Sequence, residues 1–380
     1  MSIEKRLIGI AVALSVLLAS LGLAACGDGE DIGGSSEAGT EVAQPGPVKG
    51  EFTFSNWPGY IDKGAAGTIP EFEAKYPDVS VDYVEEINDN ADFFGKLQPL
   101  LQQGDSGGRS MLIATDWLAK QMHDLGYLQK IDLADLPNVD ANLVSRLRSP
   151  AFDPDRSFSV PWASGMTGLL VNTELAPEFD SISDLFDPKY KGKVTVLTEF
   201  RDTIPLMLKA EGIDPAEASK EQWLEQIDKL QAAVDSGQLR RFTGNDYIQD
   251  LINGNVVASI GWSGDEALIG MDKIRWRMPS EGCLMWSDNM VIPVGAPNTA
   301  AALAWMDFVY RPEVYADMAV YTGASSPVRG VEKVEPSLAA NRLATPPEEF
   351  IEDCSFQPDP PGNAEDVAEV TEAFQKVITQ

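Results

Sequence analysis

Leu284-Met285-Trp286-Ser287-Asp288-Asn289-Met290-Val291-Ile292-Pro293 is the stretch whose reading decides the fold. Its apolar run predicts a buried strand. Positions two apart on a strand face the same side, so Trp286 and Asp288 present a ring and a carboxylate together. That pair suits an organic cation, which the ring attracts by its quadrupole and the carboxylate by charge and hydrogen bonds. A core Trp beside a strand-end Asp is the competing reading, and the rest of the chain decides between them.

Outward from this strand, the 380 residues, 44% hydrophobic and 23% charged, suffice for two α/β lobes. The formal charge of −30 lacks the basic footprint of a nucleic-acid binder and draws cations mildly; acidity also serves solubility alone. At the amino end, Lys5 and Arg6 precede an apolar run from Leu7 to Leu23, the pattern of an export signal. The run is long enough for a membrane anchor. However, Leu23-Ala24-Ala25-Cys26 resembles the bacterial lipobox, in which the Cys becomes the lipid-modified mature terminus. Residues 1–25 are therefore expected to be a lipoprotein signal peptide and Cys26 the lipidated residue. Residues 26–49, rich in Gly, Ser, Glu, Asp and Pro, are expected to be a flexible tether. The chain is then exported and anchored to the outer face of a bacterial cell membrane. Cys283 and Cys354 remain; they either pair in that oxidising setting or stay as two buried thiols.

The ordered chain alternates strands with helices, which predicts mostly parallel sheets with ligand-binding loops at the strands' carboxyl ends. The strand Glu51–Ser55 runs into Asn56-Trp57-Pro58-Gly59-Tyr60, and Ser110–Ala114 delivers Thr115-Asp116-Trp117. Gly192–Leu197 leads to Glu199-Phe200-Arg201-Asp202, and Val256–Gly261 ends on Trp262. Asn88-Asp89-Asn90 lacks the Gly and closing Glu of a calcium loop and reads as a helix cap. Asp132–Pro154 reads as a Pro/Asp-rich linker, and Gly165–Asn172 as a strand crossing between lobes. The opening stretch is then the return crossing. Four indoles (Trp57, Trp117, Trp262, Trp286) and three carboxylates (Glu199, Asp202, Asp288) thus stand at strand ends that converge on a cleft.

Enzymatic readings fare less well. Gly261-Trp262-Ser263-Gly264-Asp265 lacks the last Gly of a nucleophile elbow, and the single histidine, His123, lies far from Ser263 in sequence. No His/Cys cluster has metal-ligand spacing, and no cofactor is implied. A glycosidase pair built from Glu199 and Asp288 is the serious enzymatic alternative. A surface adhesion or scaffold lipoprotein is a third class.

From Glu51 to Pro327 the chain resembles bacterial extracellular solute-binding proteins of ABC importers, the spermidine/putrescine-binding family in particular. The resemblance rests on Asn56-Trp57 with Tyr60, Tyr76-Pro77, Thr115-Asp116-Trp117 and Ser159-Val160-Pro161. It continues through Gly168 with Val171-Asn172, Tyr190-Lys191-Gly192, Gly261-Trp262 with Gly264, and Trp286-Ser287-Asp288 with Ile292-Pro293. It implies a two-lobed type II periplasmic-binding-protein fold, each lobe a mixed sheet flanked by helices. Residues 50–164 with 286–331 would form the first lobe, and 165–285 with 332–380 the second. It implies a polyamine stacked among Trp57, Trp117, Trp262 and Trp286, with Thr115 as hydroxyl contact and Glu199, Asp202 and Asp288 on the ammonium groups. The partners implied are a small cation and a membrane ABC permease, with the binding protein a monomer. Another small organic cation or an amino-acid-like solute is the alternative ligand. Pro58 stands where a hydroxyl residue is common, and Ala324 in place of a cleft tyrosine, which predicts a wider or reshaped pocket.

Overall fold

The structure, a computed structural model, describes residues 41–64 and 66–379. The leader, Cys26 and the first part of the expected tether lie outside these residues. Among the described residues ten strands form one connected mixed sheet. In chain order they are β1 (Gly50–Asn56), β2 (Val79–Glu85), β3 (Met111–Thr115), β4 (Val160–Asn172) and β5 (Val194–Leu197). They continue with β6 (Leu239–Thr243), β7 (Ala258–Trp262), β8 (Ile274–Arg277), β9 (Leu284–Val291) and β10 (Ser355–Phe356).

The main path is β2-β1-β3-β9-β4-β7-β5-β6. Its two ends are parallel, as alternating strands and helices require: β1 lies parallel to β2 and β3, and β5 parallel to β6 and β7. The centre departs from the mostly parallel expectation. There β9 runs antiparallel to both β3 and β4, because it carries the chain back along the path that β4 took outward.

Two hydrophobic cores share this sheet. The first is aromatic: Phe72 packs edge-on against Trp305 with ring centroids 5.0 Å apart, and Phe52 and Phe54 lie beside the same indole. The second gathers Leu169, Leu170, Trp223, Leu230 and Ile260. All thirteen residues of β4 are buried. Val160 to Ala163 belong to the first core and Met166 to Val171 to the second. In β9 the order reverses, from Leu284 in the second core to Met290 and Val291 in the first. A third segment crosses at Ser325, which exchanges backbone hydrogen bonds with Ser164. Leu338 and Ala344 then pack in the first core, and Val370 and Phe374 in the second.

Three local expectations are corrected. Residues 132–154 are no linker: the helical turns Leu133–Asp135, Pro137–Asn142 and Ser145–Leu147 bury Leu136, Val139, Leu143 and Leu147 in the first core. Sparse but regularly placed aliphatic residues outweigh the Pro/Asp composition. Packing also begins before Gly50, since Val42 bridges to Lys130 and Ala43 is buried. His123, which its sequence context reads as a solvated or capping residue, instead stacks its half-buried ring on Phe158 at 3.9 Å. The expected cap is present, Asp89 accepting from the Asp92 N–H at the head of the helix Asn90–Leu101. Cys283 and Cys354 form a disulfide, which settles the question the sequence left open.

Candidate functional site

The loops after β1, β3, β5 and β7 meet the β4/β9 crossing at one cleft of about 720 Å³, part of it open to solvent. Trp57 follows β1 directly, where Asn56 Oδ1 accepts its backbone N–H and Gly59, at φ 69°, turns the chain back. Thr115 ends β3 and heads the helix Asp116–Asp124. Glu199 and Asp202 occupy the N-cap and first turn of the helix Phe200–Ala210, where the helix dipole favours negative charge. Trp262 ends β7, and Asp265 opens the next helix.

At the crossing, β9 alternates as a strand must. Trp286 and Asp288 turn into the cleft, whereas Ser287 and Asn289 turn away and bond Asp116. Trp286 lies over Gly165, its partner on β4; a Cβ there would come within 2.3 Å of the indole. Only glycine leaves the ring that seat.

The carboxylates are held by neutral donors. Asp288 accepts from Thr115 Oγ1 at 2.6 Å and from the Tyr60 hydroxyl at 3.0 Å. Asn90 donates to Thr115 Oγ1 at 3.0 Å and to Glu199 at 3.4 Å, which leaves its own Oδ1 buried without a donor. Asp202 accepts from Thr167 Oγ1 at 2.6 Å, from Trp262 Nε1 at 3.1 Å and from the Gln357 carboxamide. Asp265 accepts from the buried Tyr247 hydroxyl. Among the described residues none of these four acids has an ion-pair partner.

Burial without a counter-ion raises their pKa values, because low dielectric disfavours the charged form. Desolvation, with Asp89 and Asp202 adding repulsion, brings Glu199 to about 8. Desolvation with Asp116 and Asp202 nearby brings Asp288 to about 7, against the pull of Thr115 and Tyr60. Burial raises Asp265 to about 6 and also raises Asp202. The cleft therefore carries several acids whose charged form is disfavoured by burial.

Seven of the eight residues singled out from sequence line this cleft: Trp57, Thr115, Glu199, Asp202, Trp262, Trp286 and Asp288. Trp117 does not. Its ring is covered by the Arg201 guanidinium at 4.2 Å, a cation the protein itself supplies. The three lining indoles are half-buried, whereas Trp162, Trp223 and Trp305 are sealed in the cores. Pro58 and Ala324 line the cleft as well. Sequence reasoning missed Asn90, Asp265 and Gln357 as lining residues and gave Tyr60 no role. Asp265 stands three residues after Trp262 at a helix start, a spacing that signals a shared end. Asn90 was hidden by its capping motif, and Gln357 carried no signal.

Residues 68–345 match the family of bacterial extracellular solute-binding proteins. The chain belongs to that family. A spermidine/putrescine-binding periplasmic protein of Salmonella typhimurium is 27% identical over 317 residues, covering 80% of this chain and 82% of that protein. Among solved structures, a putative spermidine/putrescine ABC transporter from Listeria monocytogenes superposes with a TM-score of 0.75. It is 23% identical and covers 86% of this chain and 98% of its own. The Tp0655 (TpPotD) lipoprotein of Treponema pallidum gives 0.70 at 22% identity, covering 87% and 98%. The fold is the two-lobed one of these solute-binding proteins. They serve transport and not catalysis, so Glu199 and Asp288 are not a hydrolase's acid and base. Among the described residues no helix is long and apolar enough to cross a membrane.

Proposed function

We propose that this solute-binding protein captures a di- or polyamine of the putrescine/spermidine type and hands it to a membrane ABC permease. The observation that carries the reading is the set of four carboxylates facing one cleft between half-buried indoles, Asp202, Asp265 and Asp288 buried and Glu199 half-buried, with no protein cation paired to them among the described residues. A chain of ammonium groups joined by methylenes matches that lining, charge to carboxylate and methylene to ring face. The similar Salmonella protein binds spermidine and putrescine by its description, which supports the same class here. The eight residues Trp57, Thr115, Trp117, Glu199, Asp202, Trp262, Trp286 and Asp288 are retained as the proposed site, with Trp117 acting through Arg201.

Capture proceeds by closure of the two lobes, 50–164 with 286–331 against 165–285 with 332–380, about the β4/β9 crossing; the first part of the last segment, with Leu338 and Ala344, packs in the first core and moves with it. Closing an empty cleft desolvates like charges, which favours the open form. A bound polycation cancels that repulsion and selects the closed form. Affinity in the micromolar range requires about 8 kcal/mol. Ring contacts of roughly 0.5 to 2 kcal/mol each do not reach that alone; the ion pairs supply the rest. Lipidation at Cys26 would hold the receptor beside its permease.

A thermal-shift screen of the soluble part with putrescine, spermidine, amino acids and oligosaccharides tests the reading. A ligand at about a hundred times its Kd stabilises by roughly 2.7 kcal/mol, a plain rise in Tm. A rise with the amines alone is expected, and no rise with any amine overturns the reading.

A further inference from the structure

The carboxyl-terminal segment reaches the cleft by an unusually slender route. β10 is two residues long and pairs with the start of β9, Ser355 opposite Leu284 and Phe356 opposite Met285. Two backbone hydrogen bonds flank the pairing, from the Ser355 N–H to Cys283 O at 3.1 Å and from the Gln357 N–H to Met285 O at 2.9 Å. The Phe356 side chain points to solvent, 48% exposed, so little apolar burial holds the strand down. A strand this short is not stable by pairing alone.

What pins it is covalent. Cys283, just before β9, is bonded to Cys354, just before β10, across 71 residues of sequence. Gly282 completes the seat: its φ is +90°, and a Cβ there would lie 2.0 Å from the Asp353 carbonyl oxygen. Directly beyond β10 the segment delivers two side chains to the functional region. Gln357 donates to Asp202 in the cleft. Asp359 accepts from Arg201 Nε at 3.2 Å, and Arg201 in turn covers the Trp117 ring of the first lobe.

We propose that the Cys283–Cys354 disulfide is a positioning device for the cleft. It clamps β10 to the crossing strand so that Gln357 stays on Asp202 and Asp359 on Arg201, and ligand affinity depends on the bond. Without it the segment spends part of its time detached, Asp202 loses a donor, and the guanidinium that spans the lobes loses its orienting carboxylate. The cysteines act through these residues and touch no ligand. The affinity part rests on the amine-receptor reading above.

The test compares the wild type with Cys283→Ala/Cys354→Ala, Gln357→Ala and the triple variant. Two readouts are taken. The first needs no ligand: the NMR resonances of the Gln357 carboxamide and the Trp262 indole N–H, both donated to Asp202, should move toward solvent-exposed positions when the bond is removed. The second is Kd for putrescine and spermidine, expected to weaken about tenfold without the bond and by a clearly smaller factor when the bond is removed from Gln357→Ala, where only the Asp359–Arg201 contact is left to lose. Unmoved resonances, an unchanged Kd beside a lowered Tm, or losses that simply add would each overturn the proposal. Gly282→Ala keeps both cysteines but displaces Asp353; should the cysteine-free chain not fold, this variant decides by the same criteria. If neither amine binds the wild type, the receptor reading falls, and the resonances alone decide the disulfide's role.

Discussion

Asp288 projects from one face of β9, Asp116 at the head of the helix Asp116–Asp124 lies against the other, and the protein treats them differently. Asp116 looks away from the cleft into a closed polar network: Ser287 donates to it at 2.6 Å and Asn289 at 2.8 Å. Asn289 Oδ1 accepts from the buried Arg156 guanidinium at 3.0 Å, so a protein cation stands one residue behind the acid. Arg156 is held in turn by Leu147 O and Ser159 Oγ, at a positive φ of 51° that its surroundings enforce. Asp288 is equally enclosed and has only Thr115 and Tyr60, with further acids facing it. Burial raises both carboxyls, but the charge of Arg156 pulls Asp116 back, while nothing of that kind reaches Asp288. The lesson is that burial alone does not mark a binding acid. An acid with its counter-ion built in belongs to the scaffold, and an acid without one is the kind proposed here to meet a cationic ligand.

The contrast can be broken at its scaffold side first. Arg156→Met leaves buried oxygens without a donor and Asp116 without its cation, and should cost about 3–5 kcal/mol in chemical denaturation; a loss below about 1 kcal/mol would mean the two faces are alike after all. Asp288→Asn should do the opposite. Amine affinity falls about a hundredfold (~2.7 kcal/mol) by calorimetry, while the ligand-free Tm at pH 8 is not lowered. Unchanged affinity would remove Asp288 from the site. Gly165→Ala pushes the Trp286 ring off its seat and should weaken binding about tenfold, ~1.4 kcal/mol, with normal spectra of the second core.

The smallest effect is that of pH on the empty protein. Glu199, Asp265 and Asp288 have folded-state pKa values of about 8, 6 and 7, above the unfolded value of about 4. Between those limits the native state binds more protons than the unfolded chain, so its stability falls as pH rises from about 5 to about 8. Glu85, Glu86 and Asp250, which are shifted downward, titrate below this window. The ligand-free Tm should drop by a few degrees across it, and bound amine should flatten the drop by keeping the carboxylates ionised. A Tm that rises over this interval would count against the raised values.

Much of the cleft's lining was legible because its residues sit where simple periodicity puts them. Period-2 alternation placed Trp286 and Asp288 on one face, and strand ends brought Trp57, Thr115, Glu199, Asp202 and Trp262 to one edge. Trp117 stood at the same kind of station yet is taken by Arg201, because a neighbouring lobe's cation is invisible to local pattern. Asn90 looked like a cap, and its neighbour Asp89 is one, but its carboxamide reaches Glu199, 109 residues further on. The linker expected at 132–154 failed for a related reason: composition counts residues, while burial depends on which few of them meet a core.

What the sequence by itself determined is the set of local commitments: the apolar β9, the bare Gly165 opposite it, the indoles and acids at strand ends, and the acidity that suits a cationic ligand. Each follows from backbone period and side-chain chemistry within a few residues. Tertiary structure alone decided which acids lack a counter-ion, that Cys283 meets Cys354, and that Gln357 closes on Asp202 from 155 residues away. Those outcomes depend on distances between segments far apart in the chain. Charge pairing and burial are properties of such distances, which is why the difference between Asp288 and Asp116 could not be read before the two lobes were assembled around the crossing.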